Sequence, residues 1–214
     1  DIFTDHALGF IESNKGHPFL LSLHFRAPHA AWLPVRPEDW EPFKDLDPEI
    51  PNPDFPNLNV ELVKKRTREY LAAVKSVDRN VGRVLDTLDA LKLTSNTIVI
   101  FTSDHGYNLG EHGTWFKGNA IRILKQNPPK QWADIPPQRR PNLWDTSLRV
   151  PTAIRWPGVI EPGTVLDQTF SNLDWFPTLL AMAGIKPDQK LKLRGDDFTP
   201  VLTGRTSRWD SDIY

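Results

Sequence analysis

The chain has 214 residues and 24.5 kDa, with 26 Lys and Arg against 27 Asp and Glu, so its formal net charge is −1 with histidines neutral. That length suits one domain, or one and part of a second, and the charge balance, at a sequence pI of about 6.7, removes the broad basic field that nucleic-acid binding leaves in a composition. The 39% apolar share is ordinary for a globular protein, no apolar run nears the roughly 20 residues of a membrane helix, and the lack of cysteine excludes disulfides, thiolate metal sites and a cysteine nucleophile within these residues while leaving the compartment open.

The chain opens Asp1-Ile2-Phe3 without an initiator Met, as a helix already under way, so the numbering is expected to start inside a longer protein. Thr4 is positioned to cap a helix whose apolar face is Ala7, Leu8, Phe10 and Ile11, with Gly16 as its stop. Phe19 to Phe25 is apolar at nearly every position, the pattern of a strand buried on both faces of a parallel sheet, and it ends in Arg26-Ala27-Pro28-His29. Proline, 20 of 214 residues against a usual share of about 5%, clusters at 34–56 and 128–141. Over 34–56 it argues against regular structure and leaves Trp32, Trp40, Phe43 and Phe55 to pack a long surface loop.

Residues 59–92 carry Leu62, Val63, Tyr70, Leu71, Val74, Val77, Val81, Val84, Leu85, Leu88 and Leu91 at three- and four-residue steps, which predicts a long amphipathic helix with room for one break. Thr97 to Thr102 is a β-branched run that reads as a second buried strand and delivers Ser103-Asp104-His105-Gly106 at its carboxyl end. Ile121 to Pro141 holds Arg122, Lys125, Lys130, Arg139 and Arg140 against one acid, Asp134, and reads as an inserted basic loop. Val150 to Trp156 is a third strand candidate, Pro157-Gly158 a turn, and Leu173 to Ala183 a helix ended by Gly184. The alternation predicts an α/β fold with a mostly parallel sheet, whose carboxyl edge is where sites form. Residues 1–196 are expected to form one domain portion, and 197–214 the start of a smaller, truncated carboxyl-terminal subdomain.

The chemistry-bearing residues gather at the predicted strand ends. Asp104 and His105, on a turn that Gly106 lets bend sharply, either share a cation or serve as a turn-capping carboxylate beside a surface histidine. Lys117 follows the glycine-punctuated Gly110-Glu111-His112-Gly113-Thr114-Trp115-Phe116; it is a clamp for developing anionic charge or a solvated loop lysine, and His112 in the same loop is the weaker candidate. His29 ends the first predicted strand, on the same sheet edge as Asp104, whereas His6, His17 and His24 read as structural. The set worth testing is His29, Asp104, His105 and Lys117.

These segments, with Tyr70 through Asp78 to Gly82, Ser147-Leu148-Arg149-Val150-Pro151, Arg155-Trp156-Pro157-Gly158 and Asp174 to Leu180, occur in an order that resembles the sulfatase family of the alkaline-phosphatase-like superfamily across nearly the whole chain. His after Asp104, where many members carry Asn, is similar to the iduronate-sulfatase-like subset. The resemblance implies an alkaline-phosphatase-like α/β fold and a sulfuric ester hydrolase acting on a sulfate ester, in particular a sulfated carbohydrate. It makes Asp104 and His105 ligands of a divalent cation, usually Ca2+, with Mg2+, Mn2+ or Zn2+ as alternatives. It makes His29 and Lys117 the catalytic residues that hold the sulfate and its bridging oxygen; His112, and Arg139 and Arg140 of the basic loop, are the candidates for substrate contact. It implies a periplasmic, secreted or lysosomal location, and the charge balance leaves no nucleic-acid partner expected.

The departures carry equal weight. The family nucleophile is a formylglycine made from Cys or Ser in Cys/Ser-x-Pro-x-Arg, a pattern these residues lack, and the family's first Asp-Asp metal pair also lies upstream of the His29 equivalent. The chain alone is therefore expected to show no sulfatase turnover and weak metal affinity. Two rival readings stand beside this one: a phosphomonoester or phosphodiester hydrolase of the same superfamily, and a non-catalytic remnant whose 121–141 loop binds a polyanionic sugar.

Overall fold

The computed structural model describes residues 1–56, 58–115, 117, 134–136, 144–188 and 190–209. They divide into two compact units: Asp1–Thr94 with His105–Thr152, and Ser95–Asp104 with Ala153–Tyr214.

In the first unit, α1 (Ile2–Asn14) and α2 (Pro37–Trp40) pack on α3 (Val60–Ala90). The seam of α1 is Thr4, Ala7 and Ile11, spaced three and four residues apart and all buried. Thr4 is thus a core residue of the first turn and not the cap, because the helix begins two residues earlier. Asn59 caps α3 by accepting the Leu62 N–H at 2.9 Å. The helix runs 31 residues without a break. Interior Gly82 costs about 1 kcal/mol of helix propensity, which the burial of Val63, Ala72, Ala73 and Leu88 outweighs.

The proline-rich stretch is less irregular than its composition predicts. Pro37 sits in the first turn of α2, where its fixed φ favours a helix and its missing N–H is no loss. That turn buries Asp39, whose carboxylate receives Arg79 Nε at 3.1 and 3.3 Å and Nη2 at 2.8 Å. The guanidinium holds the Asp39 carboxyl below its usual range against the opposing effect of burial. Arg79 also donates to Asp1, which takes Arg36 as well, and Arg83 pairs with Asp5. Acids from α1 and α2 and bases from α3 therefore clasp the three helices.

The predicted first strand does not form. Residues 19–25 join no ladder among the described residues, and Leu20 is 83% exposed. An apolar run supplies strand propensity, but without a neighbouring strand its backbone groups have no ladder to enter. The other two strands do form, in the second unit: β1 (Val99–Phe101) and β2 (Ala153–Arg155). They pair antiparallel with Val99 opposite Arg155 and Phe101 opposite Ala153. The one ladder among the described residues is therefore antiparallel, where the helix–strand alternation predicts a mostly parallel sheet. Two strands also leave β1 partly uncovered, and Phe101 is exposed.

The second unit closes around α5 (Trp175–Met182) and α6 (Thr199–Leu202), numbered after α4 (Asp145–Leu148) of the first unit. Ser171 and Asp174 form a capping box at the turn leading into α5. The same Asp174 carboxylate accepts the Ser171 N–H at 2.8 Å and the Asp196 N–H at 2.9 Å, which satisfies a buried charge with backbone donors. Phe198, Val201 and Leu202 are the core, packed by Ile154, Ile160, Phe170, Met182 and Trp209.

Candidate active site

His29 stands on a short turn that closes when its N–H donates to the Arg26 carbonyl at 2.9 Å. Trp32 anchors this turn through Nε1–H to the Pro28 carbonyl at 2.8 Å. Its ring meets Tyr70 of α3 and Tyr107 edge-on, with centroids at 6.4 and 6.2 Å, while the two tyrosines stack on each other at 6.0 Å. Burial raises the pKa of both phenols, partly opposed at Tyr107 by Arg66. The turn borders a cavity of 220 Å³ lined by Arg26, Ala27, His29, Ala31, Trp32, Pro34 and Val35 with Ala73 and Ser76 of α3. His29 Nδ1 lies 2.6 Å from the Ala30 carbonyl, which can only accept, so Nδ1 carries the proton and Nε2 is the nitrogen presented to a ligand.

His105 shows the same local device. Its Nδ1 lies 2.9 Å from the Gly106 carbonyl, which can only accept, so Nδ1 carries the proton. Gly106 is fastened to α4 by its N–H to the Ser147 carbonyl at 2.9 Å. A Cβ on Gly106 would stand 2.2 Å from the Thr146 carbonyl oxygen, so the approach requires glycine. Buried Asn108 adds two side-chain bonds at 2.6 Å, donating to Ser147 and accepting from Thr146. Asp104, in the second unit, is exposed; its carboxylate accepts from Ser103 Oγ at 3.3 Å and its carbonyl from Asn172 Nδ2 at 2.7 Å.

The loop leading to Lys117 is pinned to the first unit at several points. Gly110 adopts φ +93° directly against Val63 of α3, where a Cβ would meet the valine methyl at 2.7 Å. His112, itself at φ +51°, donates its N–H to Asn52 Oδ1 at 2.8 Å and stacks its ring on Trp144 at 3.9 Å. Arg66 of α3 lies over the Trp115 ring at 4.6 Å. Lys117 is half-buried and is not among the residues lining the His29 cavity. Arg139 and Arg140, and most of the basic 121–141 segment, lie outside the described residues.

Among the described residues no three His, Cys, Asp or Glu side chains form a group that could hold a metal ion. A hard carboxylate and an imidazole are donor types that divalent cations take, and Asp104 and His105 amount to two donors of the six to eight that calcium takes. Sequence reading missed Asn52, Asn108 and Trp144. Asn52 lies in the proline cluster sixty residues before its partner, and Asn108 and Trp144 border motifs without belonging to them, so no local pattern marks any of the three.

The Sulfatase family profile matches residues 1–185. The chain is 34% identical to the steryl-sulfatase of Rattus norvegicus over 95% of its own length and 30% of the relative's. It is 30% identical to the human iduronate 2-sulfatase, covering 86% of the chain and 39% of that protein. Among solved structures, the yidJ protein of Bacteroides fragilis, a candidate sulfatase, superposes with a TM-score of 0.75 at 26% identity, over 97% of this chain and 41% of that one. The fold and the ordered motifs are those of an alkaline-phosphatase-like core. This chain belongs to the sulfatase family. It spans about a third of the length of these curated relatives.

Proposed function

We propose that this chain supplies the cation-binding and lysine-bearing part of a sulfuric ester hydrolase whose substrate is a sulfated carbohydrate. The observation that carries the reading is the match of residues 1–185 to the sulfatase family in a chain whose His29 turn borders a cavity. The relatives' names support it: steryl-sulfatase and iduronate 2-sulfatase share sulfate and differ in the group bearing it, and iduronate is a sugar acid.

In the mechanism, His29 presents Nε2 to the bridging oxygen of the ester, and its protonated form donates there as the alcohol departs. The Nδ1–H bond to Ala30 fixes the ring orientation that this transfer needs. Lys117 places a fixed positive charge against the sulfate oxygens. Asp104 and His105 would hold a divalent cation, calcium by family resemblance, which when bound supplies Lewis-acid polarisation. His112, Arg139 and Arg140 remain candidates for contacting the sugar. The nucleophile, a formylglycine, is expected from a segment that these residues do not contain.

The test compares an aryl sulfate with the matching aryl phosphate, using the chain expressed in its parent reading frame. Sulfate hydrolysis should dominate, and His29→Ala or Lys117→Ala should each lower kcat by about 10²–10³. Preference for the phosphate, or full activity in both variants, overturns the reading.

A further inference from the structure

The cavity beside His29 is also lined by an arginine that the mechanism above does not use. Arg26 opens the turn that His29 closes, and the Arg26 carbonyl and His29 N–H join at 2.9 Å, so both side chains arise from one hydrogen-bonded unit. Both line the same 220 Å³ cavity. The rest of its wall is Ala27, Ala31, Trp32, Pro34, Val35, Ala73 and the hydroxyl-bearing Ser76, with no carboxylate among them.

Arg26 is also uncommitted. Its hydrogen bond is a long one, Nη2 to the Ala30 carbonyl at 3.5 Å, at the limit of a useful interaction. Among the described residues it forms no ion pair, whereas Arg36, Arg79 and Arg83 close by in the same unit are all engaged with Asp1, Asp5 or Asp39. A guanidinium keeps its charge at any physiological pH, and its fork matches the paired oxygens of a sulfate or carboxylate. A cavity of 220 Å³ is below the roughly 300–1,000 Å³ that encloses a drug-sized ligand, so it receives the charged end of a ligand and not the whole molecule.

We infer that Arg26 is an anion-recognition residue that takes a second negative group of the substrate, a sulfate or carboxylate in addition to the ester being cleaved. The inference deepens the proposed function and rests on it for the identity of the ligand held at His29. It selects substrates carrying two anionic groups, as acidic or multiply sulfated sugars do, over singly sulfated ones. The anchoring of the turn by Trp32 on Tyr70 and Tyr107 holds the backbone from which both side chains arise before any ligand arrives, which lowers the ordering cost of binding.

The test is a calorimetric titration of the 214-residue chain with a singly sulfated and a doubly sulfated glucosamine, which needs no turnover. The doubly sulfated sugar should bind at least about tenfold tighter. Arg26→Ala and Arg26→Gln should reduce that preference to within about twofold, and Arg26→Lys should keep part of it because the charge remains without the fork. Equal binding of both sugars by the unaltered chain, or a preference that survives Arg26→Ala, overturns the inference. Failure of the sulfatase reading appears separately, in the aryl sulfate assay, so the two failures are distinguishable.

Discussion

Arg79→Ala strands a carboxylate that the fold has sealed in. The Asp39 side chain is 1% exposed and receives both Nε and Nη2 of one guanidinium. Removing one partner of such a pair costs about 3–5 kcal/mol, and because Arg79 keeps 21% exposure the lower end, about 3 kcal/mol, applies. With a urea m-value of about 2–3 kcal/mol/M, the unfolding midpoint read by helical circular dichroism should fall by roughly 1–1.5 M. Arg79→Lys should lie between, since it keeps the charge and loses the fork. The pH dependence has a definite sign. Arg79 lowers the folded pKa of Asp39, so its contribution is complete above the unfolded carboxylate value of about 3.9 and is lost as the pH falls below it through the folded value. The stability gap between the unaltered chain and Asp39→Asn should therefore narrow between pH 7 and pH 3. A cost below about 0.5 kcal/mol for Arg79→Ala, typical of a wetted surface pair, or a gap that stays constant in acid, would refute the reasoning.

Three further outcomes are expected. Gly106→Ala forces a Cβ to within 2.2 Å of a backbone carbonyl oxygen; it should cost about 3 kcal/mol or more and show as lost soluble yield or a lowered Tm, and a stable alanine variant would mean that the α4 contact is looser than described. Asn52→Ala leaves the His112 N–H without its acceptor and should cost about 1–2 kcal/mol in urea unfolding, with Asn52→Asp restoring most of it. Calcium titrated into the chain alone should bind no tighter than about 1 mM by calorimetry, and chelator should leave its Tm unchanged; a micromolar site abolished by Asp104→Ala would show that the chain carries a fuller ligand shell than Asp104 and His105 provide.

The legible parts of the fold were those fixed by local pattern. The apolar spacing from Leu62 to Leu91 marks α3 because a helix face repeats within itself, and Gly184 marks the end of α5 by its own local chemistry, whereas the Ser171-to-Asp174 box that opens it goes unread. Strands were legible only as propensity. Val99 to Phe101 and Ala153 to Arg155 found partners, whereas Phe19 to Phe25, the longest apolar run, found none among the described residues, since pairing is decided by a neighbour and not by the run itself. The candidate site divides in the same way. His29 and His105 are candidates on sequence motif alone, and the Nδ1–H bonds to the next carbonyls supply a tautomer that no sequence displays. The Asn52 to His112 bond and the Asn108 clamp join residues far apart in the chain, so their signal exists only after folding.

The antiparallel ladder of the second unit sets a schedule for synthesis. Val99 pairs with Arg155, so β1 emerges from the ribosome more than fifty residues ahead of the strand that completes it. At about 5–20 residues per second that is a wait of roughly 3–10 s, during which Val-Ile-Phe has its backbone unpaired and its side chains wet. The core residues Phe198, Val201 and Leu202 arrive later still. The second unit is thus completed after the helices of the first have been made, and over that interval β1 waits as an unpaired edge.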